Sequence, residues 1–341
     1  MTPLKVKEYI EGKEFLSSIP KILNLEVTNF CNLNCPICVA KSTRKQGFLD
    51  LNLLNKIIKE NEKVLRNQFI WLHFNGEPLL HPRLSEIIRI LKKAGVKTRI
   101  STNATLLNKE KSLEIMRAGL DYIVFSVDGS TKETYEKIRR GADFEEVEDN
   151  IFGFLGIKKK KKFKTETQIQ IIKMKENEKE IKPFIKKWKK TDIDYINVKS
   201  FSTRAWQAEE IREHVNTMGL SKLKNRIHHR SPCFYLWETL IILWNGEVVA
   251  CCQDLKGDLK IGDLKKENLM EIWNNHKLLK LRRQQLNNDF SMTPCAQCPD
   301  WKSLPRNYLV YFYQAFIKLF FKKVLNRELK DEGINIISNR K

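Results

Sequence analysis

An alternation of two kinds of segment, from residue 21 to about residue 200, is the feature that most limits how this chain can fold. Short β-branched runs alternate with longer amphipathic stretches, a pattern typical of a parallel sheet with helices packed outside it. The predicted strands are residues 22–27, 69–74, 96–101, 122–127, 167–174 and 195–199, and the predicted helices are 51–65, 83–94, 109–118, 132–139, 144–157 and 178–190. Six βα units are fewer than the eight of a closed TIM barrel. The sequence therefore predicts an α/β fold whose core, residues 21–200, is a partial (βα)6 TIM-like barrel.

A second, smaller unit is predicted after the barrel. A polar connector, residues 201–232, leads into residues 233–301, where Asn245-Gly246 separates two short apolar runs and favours a tight hairpin turn. An amphipathic stretch at 269–286 predicts a helix, so we expect a small C-terminal domain made of a β-hairpin plus a helix. The remaining segments are an N-terminal extension, residues 1–20, and a basic amphipathic tail, residues 302–341, with a helix predicted over 308–325.

Composition narrows the class of protein. The eight cysteines fall into clusters with short spacings, and we find no secretory signal or membrane span, so we expect a cytoplasmic protein whose cysteines bind metal. The net charge of +21 is largely lysine spread over predicted helix faces, which is usually a solvated surface. Nucleic acid is therefore not expected as a partner, and a basic zinc-containing nucleic-acid-binding protein is kept as an alternative of another class.

The first cysteine group directly follows the first predicted strand. Cys31, Cys35 and Cys38 have the spacing C-x3-C-x2-C, so one loop offers three thiolates. Three ligands leave one iron of a [4Fe-4S] cluster open for an outside molecule, whereas a structural zinc site needs a fourth ligand. No fourth Cys or His is near in sequence, because His73 and His81 lie on or after the second strand.

This motif, in this position, resembles the radical S-adenosylmethionine (SAM) superfamily. Asn75-Gly76-Glu77-Pro78 after the second strand is similar to the GGEP segment of that family, and later strand ends also match family segments. The resemblance implies that the residues near SAM are Ile37, Asn75, Gly76, Glu77, Pro78, Ser101, Asn103, Ser126, Asp128 and Arg139, with Arg140 as the alternative to Arg139. The Ser, Asn and Asp residues are also common helix caps and loop residues.

The resemblance implies a specific chemistry. In this superfamily a reduced cluster cleaves SAM, and the resulting 5′-deoxyadenosyl radical abstracts hydrogen from a substrate C–H bond. A flavodoxin or a ferredoxin-type protein is the expected electron donor. The protein's part is to orient the reactants in a dry pocket, at the C-terminal ends of the strands.

The second cysteine group comprises Cys233, Cys251, Cys295 and Cys298. The pattern C-x12-G-x4-C resembles the start of a SPASM domain, and a single C-x2-C resembles its shortened "twitch" form, which implies one auxiliary [4Fe-4S] cluster. The alternative for these four thiolates is a structural zinc ion. Strand alternation predicts that the Cys252 side chain faces away from that of Cys251, as a small buried apolar residue.

The leading reaction, again implied by the resemblance, is oxidation of a small polyol, sugar or aminosugar, with the auxiliary cluster as electron acceptor. Candidate bases are Lys173, Lys175, Arg204 and His228, none of which the sequence singles out. The alternative is maturation of a peptide or protein side chain. For the tail helix we expect packing against the barrel, with contact to the inner face of a membrane as the alternative.

Overall fold

One ten-stranded sheet organises the part of the chain that the structure describes. In this computed structural model, the described residues are 2–38, 44–200, 230–298, 301 and 334–339. The strands are β1 Lys21–Leu25, β2 Phe69–Trp71, β3 Lys97–Thr102, β4 Tyr122–Ser126, β5 Glu166–Lys173, β6 Tyr195–Ser200, β7 Thr239–Ile242, β8 Glu247–Val249, β9 Lys260–Asp263 and β10 Ile334–Ser338. They are arranged in the order β10-β6-β5-β4-β3-β2-β1-β7-β8-β9.

Strands β1 to β6 are parallel and adjacent in chain order. The sheet does not close on itself, so the predicted partial (βα)6 barrel is confirmed. The helices are α1 Pro3–Ile10, α2 Leu51–Leu65, α3 Leu84–Lys93, α4 Lys109–Ala118, α5 Lys132–Ile138, α6 Phe144–Lys161, α7 Ile181–Trp188, α8 Tyr235–Glu238, α9 Leu269–Trp273 and α10 His276–Leu286.

Local sequence signals set the ends of the barrel helices. Helix α2 begins after Asp50, whose side chain accepts hydrogen bonds from the backbone N–H groups of Asn52 and Leu53. Helix α4 ends at Gly119, which has a φ of 92° that an L-residue with a side chain rarely adopts. Because these signals are local, α2 and α4 have the bounds that the sequence predicted.

The C-terminal unit continues the barrel sheet at its β1 edge. Strand β7 pairs in parallel with β1, and β7, β8 and β9 form an antiparallel meander. The predicted hairpin turn is present, with Gly246 at a φ of 88°. The single helix predicted over 269–286 is wrong in one respect: the chain breaks at Asn274, and Asn275 caps a separate α10 by accepting from Lys277 N and Leu278 N.

The opposite edge of the sheet is covered by the C-terminal strand, which the sequence did not predict. Strand β10 pairs antiparallel with residues 195–199 of β6. Asn339 follows it, and its side-chain amide donates to the carbonyl oxygens of Thr191 and Ile193. The helix predicted over 308–325 lies outside the described residues. Within the described ranges, no helix has both the length and the apolar character needed to span a membrane.

Candidate active site and auxiliary cysteine site

The first cysteine loop follows β1 at the C-terminal edge of the parallel sheet. Cys31 and Cys35 are half-buried and Cys38 is exposed, and the backbone N–H of Cys38 donates to the Cys35 carbonyl at 3.1 Å. Burial raises the pKa of the Cys31 thiol to about 11. Burial also raises the pKa of Cys35, against the opposing effect of the Arg139 charge. Ile37 is partly buried in the same loop.

The turn after β2 lies directly against the backbone before Cys31. Gly76 has a φ of 79°, and a Cβ atom there would be 2.5 Å from the Phe30 carbonyl oxygen. The Glu77 N–H donates to the same oxygen at 2.7 Å. Only glycine fits this close approach. Pro78 then starts a short 3-10 turn, Pro78–Leu80, so the predicted Asn75-Gly76-Glu77-Pro78 segment is held beside the cysteine loop.

Glu77 is buried and ties this turn to the end of β3. Its Oε1 accepts from Leu79 N at 3.0 Å and from Thr102 Oγ1 at 2.7 Å, and its Oε2 accepts from Asn103 N at 2.8 Å. Burial raises the pKa of Glu77 to about 7, although these hydrogen bonds oppose the shift. A nearby cation would favour the ionised form.

Three further predicted residues make side-chain contacts at neighbouring strand ends. The Asn103 side-chain amide donates to Asn32 Oδ1 at 3.0 Å, which joins β3 to the cysteine loop. Ser101 Oγ and Ser126 Oγ are 3.0 Å apart across β3 and β4. The tertiary structure thus places residues separated by up to 94 positions along one edge of the sheet, as expected for the carboxyl ends of parallel strands.

Asp128 and Arg139 form a buried ion pair. Arg139 Nε donates to Asp128 Oδ2 at 2.8 Å, while Asp128 Oδ1 accepts from the Ile172 N–H at 2.8 Å. Burial opposes the charge on Arg139, but Asp128 and Cys35 raise its pKa above the usual value. The two residues, each predicted as a SAM contact, therefore contact each other beside the cysteine loop.

Sequence reasoning missed a second buried ion pair, between Glu26 and Arg44. Arg44 donates two hydrogen bonds to the Glu26 carboxylate, at 3.0 and 2.6 Å, and a third from Nε to the Leu255 carbonyl at 3.1 Å. Glu26 also accepts from the Asn75 N–H at 3.2 Å. The pair connects the end of the cysteine loop, the turn after β2 and the C-terminal unit. The available signal was a glutamate inside the otherwise mostly apolar strand predicted over 22–27.

The inner wall of the barrel carries uncharged polar side chains near the strand ends. Ser126, Gln170 and Asn197 are register partners across β4, β5 and β6. Their chain neighbours, such as Ile169 and Ile196, pack in the helix-facing core, so alternation turns the three polar side chains to the inner face. Gln170 is 8% exposed and Asn197 is 3% exposed. Asn197 Oδ1 has no hydrogen-bond partner among the described residues.

His73, which the sequence excluded as a cluster ligand, faces the end of β3. Its Nδ1 accepts the Ser101 backbone N–H at 3.2 Å, so the neutral ring carries its proton on Nε2. Of the four predicted bases, Lys173 is paired with Glu178 at 2.6 Å and Lys175 is exposed. Arg204 and His228 lie outside the described residues.

The second cysteine group lines one cavity. Its empty volume is about 390 Å³ including the open mouth, and its walls include Phe290 and Trp301. The four cysteines on its wall are Cys233, Cys251, Cys295 and Cys298. Burial raises the pKa of Cys295 to about 11. The Nε of Arg230 and the Nε1 of Trp301, both from residues of this wall, are buried without a hydrogen-bond partner among the described residues.

The prediction for Cys252 is correct in its apolar packing, but the argument from strand alternation is wrong. Strand β8 ends at Val249, so strand alternation no longer separates the two adjacent cysteines. A hydrogen bond with the Cys252 thiol and burial raise the pKa of Cys251 well above its usual value. Cys252 is half-buried and packs against a small apolar cluster that includes Phe74 and Leu255. It does not line the cavity.

Two family models match the chain in the order in which these sites occur. The model described as the radical SAM superfamily matches residues 25–194, and the SPASM model, described as an iron-sulfur cluster-binding domain, matches residues 233–299. The chain belongs to the radical SAM superfamily and carries a SPASM domain. This membership excludes the alternative of a zinc-containing nucleic-acid-binding protein as its class.

Curated relatives share part of the chain. The tungsten-containing aldehyde ferredoxin oxidoreductase cofactor-modifying protein of Pyrococcus furiosus is 38% identical over 109 residues, 32% of this chain and 31% of that protein. The AdoMet-dependent heme synthase of Methanosarcina barkeri is 32% identical over 126 residues, 36% of each chain. The chain thus spans about a third of the length of these relatives.

Solved structures share the fold over most of the chain. BtrN in complex with AdoMet and 2-DOIA has a TM-score of 0.53 at 14% identity, covering 83% of this chain and 94% of that one. Native anSMEcpe with bound AdoMet and Cp18Cys peptide has a TM-score of 0.61 at 15% identity, covering 90% and 98%. At these identities the likeness establishes the partial barrel and its C-terminal extension.

Family membership implies a [4Fe-4S] cluster with SAM, and auxiliary iron-sulfur ligation in the SPASM domain. The residues fit these groups chemically, since thiolates are the usual ligands of iron-sulfur clusters and four of them line a single cavity with unsatisfied N–H groups in its wall. Within the described part of the chain, no group of three or more His, Cys, Asp or Glu side chains converges closely enough to hold a single metal ion.

Proposed function

We propose that this protein is a radical SAM oxidoreductase that removes hydrogen from a C–H bond of a small polyol, sugar or aminosugar. Cys31, Cys35 and Cys38 would hold the SAM-binding cluster. Cys233, Cys251, Cys295 and Cys298 would hold one auxiliary [4Fe-4S] cluster, which would supply an electron acceptor for the oxidation. When bound, the reduced cluster and SAM supply a carbon radical capable of hydrogen abstraction; the chain's own residues bind, orient and exclude water.

The SAM-facing roles rest on the groups gathered at the strand ends. Glu77 would accept the methionine ammonium of SAM, since a buried carboxylate beside a cation forms a strong charge-assisted bond. Gly76 lets the backbone approach closely, and Ile37 would contact adenine. Ser101, Ser126 and Asn103 would bind the ribose and carboxylate, with Asn75 and Pro78 shaping the turn.

Asp128 acts on the same site through Arg139. Because Asp128 holds the guanidinium by two of its nitrogen atoms, the charge of Arg139 is fixed beside Cys35. We propose that the remaining N–H groups of Arg139 face the SAM carboxylate. The Glu26–Arg44 pair keeps the cysteine loop and the Asn75 turn in register with the C-terminal unit.

The observation that supports the substrate class is a row of three uncharged polar side chains on the inner wall of the barrel. Ser126, Gln170 and Asn197 present a hydroxyl and two amides at one level, and a buried amide oxygen without a partner is costly unless a ligand donates to it. Hydroxyl and amino groups of a polyol or aminosugar are such donors. No catalytic base is assigned, because Nδ1 of His73 already accepts the Ser101 N–H.

The experiment is anaerobic turnover of reconstituted protein with SAM, a flavodoxin-type or chemical reductant, and a panel of polyols, sugars and aminosugars. We expect 5′-deoxyadenosine and a two-electron-oxidised product in equal amounts with one member of the panel. Turnover of peptides but of no small polyhydroxy compound would replace this proposal by the peptide-maturase alternative.

Substitutions of two inner-wall residues test whether those residues contact the substrate. Asn197→Leu and Gln170→Leu should raise KM for the substrate on the order of tenfold or more, with SAM binding unchanged, because each removes a buried hydrogen bond. Gln168→Leu is the matched control, because it lies two residues earlier on β5 and is bonded to Tyr122 Oη at 2.8 Å. An equal effect from all three variants would argue against direct substrate contact.

A further inference from the structure

One fully buried glutamine connects two of the four auxiliary cysteines. Gln285 lies in the last turn of α10, lines the cysteine cavity and is 1% exposed. Its Oε1 accepts the backbone N–H of Cys233 at 2.7 Å, and its Nε2 is 3.5 Å from Cys295 Sγ. The side chain therefore bridges the first cysteine of the group and the C-x2-C turn that ends it.

The orientation of this amide follows from the first contact. A backbone N–H can only donate, so the glutamine oxygen must face Cys233, and its NH₂ group must then face the sulfur of Cys295. The reverse orientation would set two donors against each other at 2.7 Å. Gln285 thus presents an N–H donor to a sulfur that serves as a metal ligand under the proposed function.

The packing of α10 holds Gln285 in place. One turn earlier, Arg282 is fully buried, donates from Nε to the Leu236 carbonyl at 2.9 Å and from Nη1 to the Glu14 carbonyl at 2.7 Å. Its guanidinium also lies 4.4 Å from the centre of the Trp273 ring. Helix α10 therefore cannot rotate without breaking buried hydrogen bonds.

Arg230 also stabilises the turn that contains Cys295. Arg230 donates from Nη1 to the Cys295 carbonyl at 2.5 Å and from Nη2 to the Ala296 carbonyl at 3.1 Å. The Cys295 sulfur is thus presented to a fixed donor by a fixed turn. A donor that does not have to reorganise has its full effect on the charge of the sulfur it contacts.

We propose that Gln285 is a positioning residue that raises the reduction potential of the auxiliary cluster through its N–H contact with the Cys295 sulfur. Hydrogen bonds to ligand sulfurs are one of the determinants of iron-sulfur potentials. Reduction adds negative charge, and an N–H donor stabilises the more negative state more. Within a cavity walled by Phe290 and Trp301, solvent competes little with this donor.

The inference rests on the proposed ligand set, and its experiment isolates that set. In the full chain carrying Cys31→Ala, Cys35→Ala and Cys38→Ala, only the auxiliary cluster can give a signal. Its midpoint potential is measured by redox titration followed by electron paramagnetic resonance, together with iron and sulfide content. A parent chain that binds zinc or no cluster would overturn both the ligand set and the inference.

Two variants and one control separate the donor from a structural role. Gln285→Glu keeps an acceptor for the Cys233 N–H and removes the amide donor; Gln285→Leu removes both contacts. Each should shift the one-electron equilibrium at least tenfold toward the oxidised cluster, a fall of 59 mV or more. Gln284→Leu is the control, because its side chain contacts Asp289 outside the cavity, and it should not shift the potential.

The midpoint potentials and the iron contents of the variants decide between the possible roles of Gln285. A lower potential in both Gln285 variants with intact iron content, and none in the control, supports the inference. An unchanged potential in either Gln285 variant overturns it. Loss of iron from both Gln285 variants also overturns it, because the residue would then be needed for cluster assembly and not for tuning its potential.

Discussion

The two cysteine sites differ in enclosure and in the groups that surround them. The first is a loop whose third cysteine is exposed and whose neighbours are charged: Glu77 and the Asp128–Arg139 pair. The second is a cavity with all four cysteines on its wall, together with aromatic rings and the amide of Gln285. A site that must admit and release a charged ligand needs charged partners and an opening, whereas an electron-transfer site needs shielding from solvent.

The largest expected effect comes from removing the exposed Cys38 thiol, a proposed ligand of the first cluster. Cys38→Ala should abolish SAM cleavage and lower the iron content by roughly half, because two ligands do not hold the first cluster while the second site is untouched. Iron analysis and 5′-deoxyadenosine formation measure this. Loss of all the iron would show that the two sites do not assemble independently. That result would contradict the distinction between an open first site and an enclosed second site.

The charged surroundings of the first site predict a stability effect. Asp128→Asn leaves Arg139 as a buried cation without its partner, which should destabilise the fold by about 3 kcal/mol, measured by urea unfolding of the metal-free chain. Lys159→Met is the control, because its pair with Asp192 is exposed on α6 and such pairs contribute little. Equal stability of the two variants would mean that the ion pair contributes no more than a surface one.

Because of Glu77, ligand binding at the first cysteine site should depend on pH, whereas the second site should show no such dependence. Since burial raises its pKa to about 7, the carboxyl is mostly protonated below that pH and mostly ionised above it. A bound ammonium requires the ionised form, so SAM affinity should increase with pH, on the order of tenfold from pH 6 to pH 8.

Calorimetric titration of the reconstituted protein with SAM at these two pH values is the measurement. Glu77→Gln should bind SAM more weakly and lose this pH dependence, because its amide does not titrate. A parent protein whose affinity is flat across the range, or a Gln variant that keeps the slope, would place the titrating group elsewhere.

The smallest effect is expected at Cys252. It contacts Cys251 but does not line the cavity, so Cys252→Ala should keep the iron content and the turnover of the parent. Cys251→Ala is the matched change one residue earlier, and it should lose the auxiliary cluster. Loss of iron from the Cys252 variant would indicate that this thiol also binds the auxiliary cluster. The cavity and the apolar cluster would then not be separate environments.

Much of the barrel could be predicted because its signals are local. The end of α4 follows from Gly119 and the start of α2 from Asp50, each acting on the backbone next to it. The break between α9 and α10 was missed, since a continuous apolar period masked the cap formed by Asn275. Strand β10 was missed because its partner β6 is more than 130 residues earlier in the chain.

For the site, motif spacing identified the cysteines and the Asn75-Gly76-Glu77-Pro78 turn, but not the contacts between them. Polar residues at every second position of β5 and within β6 were an available signal for Gln170 and Asn197. Nothing in the local sequence of α10 distinguishes Gln285 from Gln284, because only the position of the helix against Cys233 and Cys295 decides which of the two is buried.

The amino-acid sequence by itself determined the class of protein, the repeating βα core and the three-plus-four division of the cysteines, since spacing and periodicity are properties of neighbouring residues. Tertiary structure alone decided that Asp128 holds Arg139, that Glu26 and Arg44 join three segments, and that one glutamine bridges two cysteines. These contacts connect residues separated by about ten to more than two hundred positions, and their energies depend on burial, which no local pattern specifies.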